Sequence, residues 1–213
     1  MIVVDPSTEL LTPISKDNVV ELGLIEAGGR VCYKSQFSKT KEERDNFVRR
    51  LIKRGHETPL EHCNLTVRFI CARPIATEFL RHRHTSPNQE STRYCNYSND
   101  KFGNEITVVR PLTLEPGTQL YEDWETGCKR AEESYFTMIE HGARPEVARG
   151  VLPFDLKTEI ILTTNVREWR SIIKLRCSDA AHPDIQAIMR SVLETFNEYI
   201  PVPFEDLYEE FMG

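Results

Sequence analysis

The residues best able to do chemistry lie in one polar stretch, RHRHTSPNQESTRY, at positions 81–94. It carries three guanidinium groups, two imidazoles and several hydroxyls. Guanidinium groups bind phosphate through paired hydrogen bonds, and hydroxyls and loop amides add further donors. The alternative is a solvated turn whose arginines pair with Glu78 and Glu90. Because the whole chain has a net charge of −6, this local basic cluster favours a small anionic ligand over a nucleic acid.

The spacing within this stretch matches a known signature. Arg81-His82-Arg83, seven further residues and Ser91 form the pattern RHR-x7-S, which resembles the signature of the flavin-dependent thymidylate synthases. Four fixed positions agree by chance about once in 160,000 windows. Three further segments resemble the family in the same order along the chain: HETPLEH at 56–62, PEVAR and VLP within 145–153, and Asn165-Val166-Arg167 followed by Leu175-Arg176.

The resemblance implies a reaction as well as a fold. It implies reductive methylation of dUMP to dTMP, with 5,10-methylenetetrahydrofolate as carbon donor, FAD as redox carrier and NADPH as hydride source. It also implies a homotetramer whose active sites lie at subunit interfaces. Arg176 matches the family's catalytic position, where a permanent cation beside the uracil stabilises the anion that makes carbon 5 reactive.

The resemblance further implies two sets of ligand contacts. The positions that match FAD contacts are His56, Thr58, Arg81, His82, Arg83, Gln89, Asn165, Val166, Arg167 and Ser171. The positions that match dUMP contacts are Glu78, Phe79, Leu80, Arg81, Gln89, Glu90, Ser91, Thr92, Arg93, Arg149 and Arg176. A serine nucleophile needs an activating base within reach, and the family resemblance favours Ser91 as a phosphate ligand instead.

Four places depart from the commonest family pattern. Gln89 stands where Glu is common, Glu78 where Gln or a similar donor is common, and Ser171 where Asn is frequent, while residues 179–184 differ throughout. A carboxylate at position 78 accepts hydrogen bonds but cannot donate them. Two alternatives therefore stay open: a related flavin- and folate-dependent alkylation of another pyrimidine nucleotide, and a non-catalytic RNA- or nucleotide-binding protein.

Other kinds of site are not indicated. His56-Glu57 begins like a zincin motif, but the next histidine is His62, with Pro59 between them, so no metal site is expected. No G-x-G-x-x-G follows a strand, so no Rossmann cofactor site is expected. The six cysteines contain no C-x-x-C pair and are expected to be reduced and mostly buried. Without a signal peptide or a membrane-spanning apolar run, we expect a cytoplasmic protein that contacts no membrane.

The pattern of apolar residues predicts the elements that must position this chemistry. We expect one α+β domain over residues 1–213, with a mostly antiparallel sheet packed against long helices. Predicted helices cover 41–54, a short segment after Pro74, 118–141, 144–151, 166–176 and 185–199. Predicted strands cover 65–72, 106–109 and 156–164, and residues 84–104 are expected to form a long functional loop. The long helix is expected to bury Leu120, Trp124, Cys128, Ala131 and Tyr135.

Overall fold

A computed structural model of the chain describes residues 1–32, 34–95, 97 and 103–213. Its α-helices are α1 (Val19–Val31), α2 (Lys41–Lys53), α3 (Arg73–Phe79), α4 (Gln119–Glu140), α5 (Pro145–Ala148), α6 (Val166–Arg176), α7 (Pro183–Tyr199) and α8 (Glu205–Met212). Its strands are β1 (Ile2–Val4), β2 (Ser7–Leu10), β3 (Asn64–Ala72), β4 (Ser86–Gln89), β5 (Thr107–Val109) and β6 (Lys157–Asn165). Short 3-10 helices cover Lys16–Asn18, Thr58–His62 and Arg149–Val151.

The strands form a four-stranded antiparallel sheet in the order β2-β3-β6-β4 and a parallel pair of β1 with β5. The two long strands alternate regularly between buried and half-buried residues. In β3 the buried side carries Leu65, Val67, Phe69 and Cys71, and in β6 it carries Thr158, Ile160, Leu162 and Thr164. Such period-two burial is what a sheet with one covered face produces. The predicted α+β class with a mostly antiparallel sheet is confirmed.

The chain divides into two compact units. The first contains Met1–Ser7, Phe69–Arg81 and Asn88–Ile161, and the second contains Thr8–Arg68, His82–Pro87 and Leu162–Gly213. In the first, the rings of Phe69 and Phe79 lie 4.5 Å apart, centroid to centroid. In the second, Phe196 lies 5.3 Å from Trp169 and 4.7 Å from Phe204. Each unit therefore has its own aromatic core.

Local signals explain where α2 begins and ends. The Thr40 hydroxyl accepts a hydrogen bond from the backbone N–H of Glu43 at 3.2 Å, which caps the first turn. After the helix, Gly55 adopts a left-handed conformation with φ of 68°. Its N–H bonds the Ile52 carbonyl and the His56 N–H bonds the Leu51 carbonyl, both at 2.9 Å, which completes a Schellman motif. The helix predicted over 41–54 is confirmed, and the motif fixes the direction of the chain from the end of α2 to His56.

Most predicted elements are confirmed, and two expectations are wrong. Leu120 is 69% exposed, because it lies in the first turn of α4, before the helix meets the core at Cys128 and Tyr135. The expected loop 84–104 contains strand β4, which the sequence did not predict. Three of the polar loop residues, Asn96, Asn99 and Asp100, lie outside the described residues. Helices α1 and α8 and strands β1 and β2 were also not predicted.

Four cysteines are buried thiols, as expected. Burial raises the pKa of Cys63 and Cys71 to about 12 and that of Cys128 and Cys177 to about 11. Cys95 is half-buried and Cys32 is exposed. In the part of the chain that the structure describes, none of the helices is both long enough and apolar enough to span a bilayer.

Candidate active site

In the first unit, residues predicted to bind the dUMP phosphate lie together after β4. Thr92 is buried, and its hydroxyl accepts a hydrogen bond from Nη1 of Arg149 at 3.2 Å. Arg149 itself is exposed and follows α5, a short helix that begins with Pro145 and is anchored by the buried Ala148. The contact joins residues 57 positions apart in the chain. It leaves the guanidinium exposed and oriented, which suits an anion ligand.

The Ser91 side chain takes part in a local turn. Its Oγ accepts a hydrogen bond from the backbone N–H of Arg93 at 3.3 Å, and its carbonyl accepts from the N–H groups of Tyr94 and Cys95 at 3.1 and 3.0 Å. A serine that accepts in this way can still donate its own hydroxyl proton to an anion. No hydrogen bond joins Ser91 to a histidine in the described residues, so the geometry favours an anion ligand over an activated nucleophile.

Beside this turn lies a cavity of about 450 Å³, which includes the predicted Gln89 and Glu90 in its wall. Gln89 donates from Nε2 to the Thr158 hydroxyl at 3.1 Å. The Glu90 carboxylate pairs with Lys157 at 3.0 Å, and the Glu90 N–H bonds the Glu159 carbonyl at 2.9 Å. Gln89 therefore presents its amide oxygen as the remaining acceptor, whereas a glutamate could not donate to Thr158.

In the second unit, His82 meets Arg176, the residue predicted to be catalytic. Nε of Arg176 donates to Nε2 of His82 at 3.1 Å, across 94 positions of sequence. Because Nε2 accepts, a neutral His82 ring carries its proton on Nδ1, which lies 3.9 Å from the Glu168 carboxylate. Arg176 is the last residue of α6, and Glu168 lies in the first turn of the same helix. The histidine thus lies against both ends of α6.

The surroundings keep this imidazole neutral. Burial and the positive charge of Arg176 lower the pKa of His82 to about 4. The side chain is only 10% exposed. At neutral pH the ring is therefore an uncharged acceptor, which holds the Arg176 guanidinium without repelling it.

Three of the predicted FAD residues line a common cavity of about 360 Å³ in the second unit: Asn165, Arg167 and Ser171. The side-chain oxygen of Asn165 caps α6 by accepting from the Glu168 N–H at 2.9 Å, which leaves its NH₂ group to donate. Arg167 pairs with Glu61 at 2.5 Å and with Glu57 at 3.6 Å. A phosphate-bearing ligand would compete with these carboxylates for the guanidinium.

The other predicted residues have varied surroundings. His56 lines a smaller cavity of about 230 Å³ with Arg50 and Arg54. The exposed members of the predicted set include Thr58, Leu80, Arg81, Arg83 and Arg93, and Glu78 is half-buried. Phe79 and Val166 are fully buried, backbone included, so the structure does not expose these two predicted contacts.

Sequence reasoning missed several residues at these cavities, and some carried a signal. Glu168 stands three positions after the helix N-cap, the place where a capping-box glutamate is expected. Lys157 and Glu159 alternate on the half-buried side of β6 and line the cavity of Gln89. That side of the strand could have been identified from its period of two.

Comparison with known proteins identifies the family. The Thy1 family, described as thymidylate synthase complementing protein, matches residues 19–202. The chain is similar to the flavin-dependent thymidylate synthase of Pyrococcus furiosus, with 32% identity over 70% of this chain and 61% of that protein. It is also similar to the probable flavin-dependent thymidylate synthase of Mycobacterium phage D29, with 28% identity over 97% of this chain and 92% of that one.

A third relative, from Pseudothermotoga lettingae, is also called a flavin-dependent thymidylate synthase. It is 29% identical over 77% of this chain and 76% of its own length. The match to the Pyrococcus protein thus spans about three-fifths of that relative, whereas the phage and Pseudothermotoga proteins are matched over most of theirs. The family match covers well over half of the chain, and the chain therefore belongs to the Thy1 family of thymidylate synthase complementing proteins.

Proposed function

We propose that the chain is a flavin-dependent thymidylate synthase that converts dUMP to dTMP, with methylenetetrahydrofolate as carbon donor and NADPH as reductant. The observation that carries the proposal is the contact between Arg176 and a neutral His82. These residues occupy the position expected to activate the pyrimidine and the centre of the RHR signature, and they are far apart in sequence. Three relatives with this activity in their names add support.

The proposed role of Arg176 is electrostatic. Carbon 5 of uracil is a weak nucleophile, and it gains electron density when the proton at nitrogen 3 is removed or polarised. A fixed guanidinium beside that edge stabilises the developing negative charge and cannot itself lose a proton. His82 holds the guanidinium by accepting from its Nε, so that Arg176 does not have to reorganise when charge develops.

The proposed role of the first unit is to hold the nucleotide phosphate. Arg149 supplies a charged donor held in place by Thr92, and Ser91 and the adjoining turn supply neutral donors. Gln89, Glu90 and Arg93 are proposed to contact the rest of the nucleotide, together with Glu78, Leu80 and Arg81. These are noncovalent contacts, since Ser91 is proposed as a phosphate ligand.

FAD is the proposed cofactor, and when bound it supplies the redox chemistry of the reaction. The donor set fits part of such a molecule, because the Asn165 amide, the Arg167 guanidinium and the Ser171 hydroxyl line one cavity. The further contacts are proposed to come from His56, Thr58, Arg81, His82, Arg83 and Gln89. The chain is proposed to act as a single catalytic domain in a cytoplasmic homotetramer, with subunits sharing active sites.

The experiment is an absorption spectrum of the purified protein, recorded before and after addition of dUMP and NADPH. We expect the yellow spectrum of bound flavin, bleaching by NADPH, and formation of dTMP when methylenetetrahydrofolate is present. Protein that binds no FAD even after reconstitution would overturn the proposal. Turnover of UMP, dCMP or CMP in preference to dUMP would instead favour alkylation of a different pyrimidine. Gln89, which departs from the common family pattern and bonds Thr158, would then be a residue to test for that preference.

A further inference from the structure

One cavity of the second unit has no role in the proposed reaction. It has a volume of about 600 Å³ and lies in the second unit, among the end of α2, the body of α6 and the start of α8. Ile52 and Val202 supply an apolar part of its wall, and most of the remaining lining is charged. The cavity includes none of the residues expected to contact FAD or dUMP.

Two of the three carboxylates of this cavity are neutralised by arginines of its own wall: Glu205 pairs with Arg49 at 2.7 Å and Asp206 with Arg170 at 2.6 Å. The third, Glu57, lies 3.6 Å from Arg167, which also pairs with Glu61 at 2.5 Å. Burial raises the pKa of the Asp206 carboxyl, but the hydrogen bond and the charge of Arg170, followed by the Leu207 N–H and the charge of Lys174, outweigh this effect and lower it. Asp206 is therefore ionised at neutral pH and balances Arg170.

Two lysines in the wall, Lys53 and Lys174, add further positive charge, and that of Lys174 also acts on the Asp206 carboxyl. Within the described residues, neither has a carboxylate close enough to form an ion pair. Lys53 lies in the last turn of α2 and Lys174 in the last turn of α6. A cation at the end of a helix complements the helix dipole, which explains each lysine separately. It does not explain why both line the same cavity, whose wall holds more cations than carboxylates and therefore favours an anionic ligand.

This cavity adjoins the one lined by the predicted FAD residues. Glu57 belongs to the wall of the larger cavity, and Arg167 belongs to the wall of the other. The two side chains are 3.6 Å apart, and this ion pair forms the partition between the two cavities. A molecule that reacts beside the flavin could therefore extend an anionic tail past the partition towards the two lysines.

We propose that the lysine-lined cavity binds the glutamate tail of the folate co-substrate. The inference rests on the proposed function, which requires a folate. A folate ends in a glutamate with two carboxylates, and each γ-linked glutamate added to it contributes one more. Lysine suits such a tail because its ammonium is a mobile point charge that can follow flexible carboxylates. The apolar wall accommodates the methylene groups of the tail.

The test compares monoglutamyl and triglutamyl methylenetetrahydrofolate in the FAD-loaded enzyme. Affinity is measured by calorimetric titration and, independently, as KM in turnover. The triglutamyl form carries two more carboxylates than the monoglutamyl form. If these form exposed ion pairs with the two lysines, the triglutamyl form binds about five- to tenfold more tightly at low ionic strength. The preference should shrink as salt is raised, because exposed charges are screened. The double variant Lys53→Gln, Lys174→Gln should lose most of the preference.

A matched control is Lys16→Gln, which removes an exposed lysine of the same unit from outside the cavity and should keep the full preference. Flavin content and melting temperature show whether each variant is folded. The proposal is overturned if the unaltered enzyme binds both folates equally or if the double variant keeps the preference. It is also overturned if the double variant raises only the KM for NADPH, which would assign the cavity to the reductant's phosphate.

The failure of this inference can be distinguished from failure of the proposed function. A protein that turns over dUMP but does not discriminate between the two folates retains the function and lacks the tail site. A protein that binds no flavin and makes no dTMP contradicts the function itself. In that case titration with triglutamate alone still tests the cavity, and absence of lysine-dependent binding overturns the inference.

Discussion

Protonation of His82 should destabilise the folded protein in a measurable way. The neutral ring accepts a hydrogen bond from Arg176, and a protonated ring could not accept it and would repel the guanidinium. Burial and this charge lower the pKa of the folded histidine from 6.5 to about 4. In the unfolded chain the ring titrates near its ordinary value, so the unfolded state binds more protons between these two pH values.

The sign and the size of the effect follow from this difference. The folded pKa is depressed, so the stabilisation is fully present above pH 6.5 and is lost as the pH falls towards 4. One pKa unit corresponds to about 1.4 kcal/mol, and the shift predicts a loss of about 2 kcal/mol between pH 7 and pH 5. The side chain is only 10% exposed, so solvent screening reduces this value little.

The assay is urea unfolding at both pH values, for the unaltered protein and for His82→Gln at the same protomer concentration. Glutamine keeps a neutral acceptor but does not titrate, so titrations elsewhere cancel when the two proteins are compared. We expect the unaltered protein to lose about 2 kcal/mol more than the variant on going to pH 5. An equal loss in both proteins, or a directly measured His82 pKa at or above 6.5, would refute the reasoning.

Three further predictions concern the proposed site and its support. Arg149→Ala should weaken dUMP binding by about 10- to 100-fold with flavin content unchanged; Arg144→Ala, at a neighbouring exposed arginine, should leave binding within about twofold. Arg176→Ala should lower kcat by about 100-fold or more while FAD stays bound, and turnover within a few-fold of the unaltered enzyme would contradict its electrostatic role. Gly55→Ala should cost about 1 kcal/mol of unfolding free energy, visible as a lower melting temperature, because residue 55 has a positive φ.

Elements with local signals could be predicted from the sequence. Helix α2 has a capping threonine, an acidic first turn and a terminal glycine. Strand β3 begins with alternating polar and apolar residues, and β6 is rich in β-branched residues. Helix α1 lacks such signals and contains three glycines, which are poor helix formers. Tertiary packing compensates: a Cβ at Gly28 would lie 2.6 Å from the His62 ring, so glycine permits this close approach.

The polar elements and the site geometry depend on distant partners. Strand β4 has the sequence SPNQ, which carries no strand signal, and it forms at the edge of the sheet next to β6. The resemblance to the family signature predicted which residues belong to the site. It could not give the contact of His82 with Arg176 or that of Thr92 with Arg149, because each joins residues that only the fold brings together.

Strand β6 has a consequence for how this chain can vary in length. Its half-buried residues Lys157, Glu159 and Ile161 line a cavity, and they alternate with the buried Thr158, Ile160 and Leu162. Removing or inserting one residue within the strand would exchange these two sets, because side chains alternate at every position. A lysine and a glutamate would then enter the interior while isoleucine and leucine turned outward. Insertion or deletion of a single residue should therefore be tolerated in the turn before α4 but not within β6.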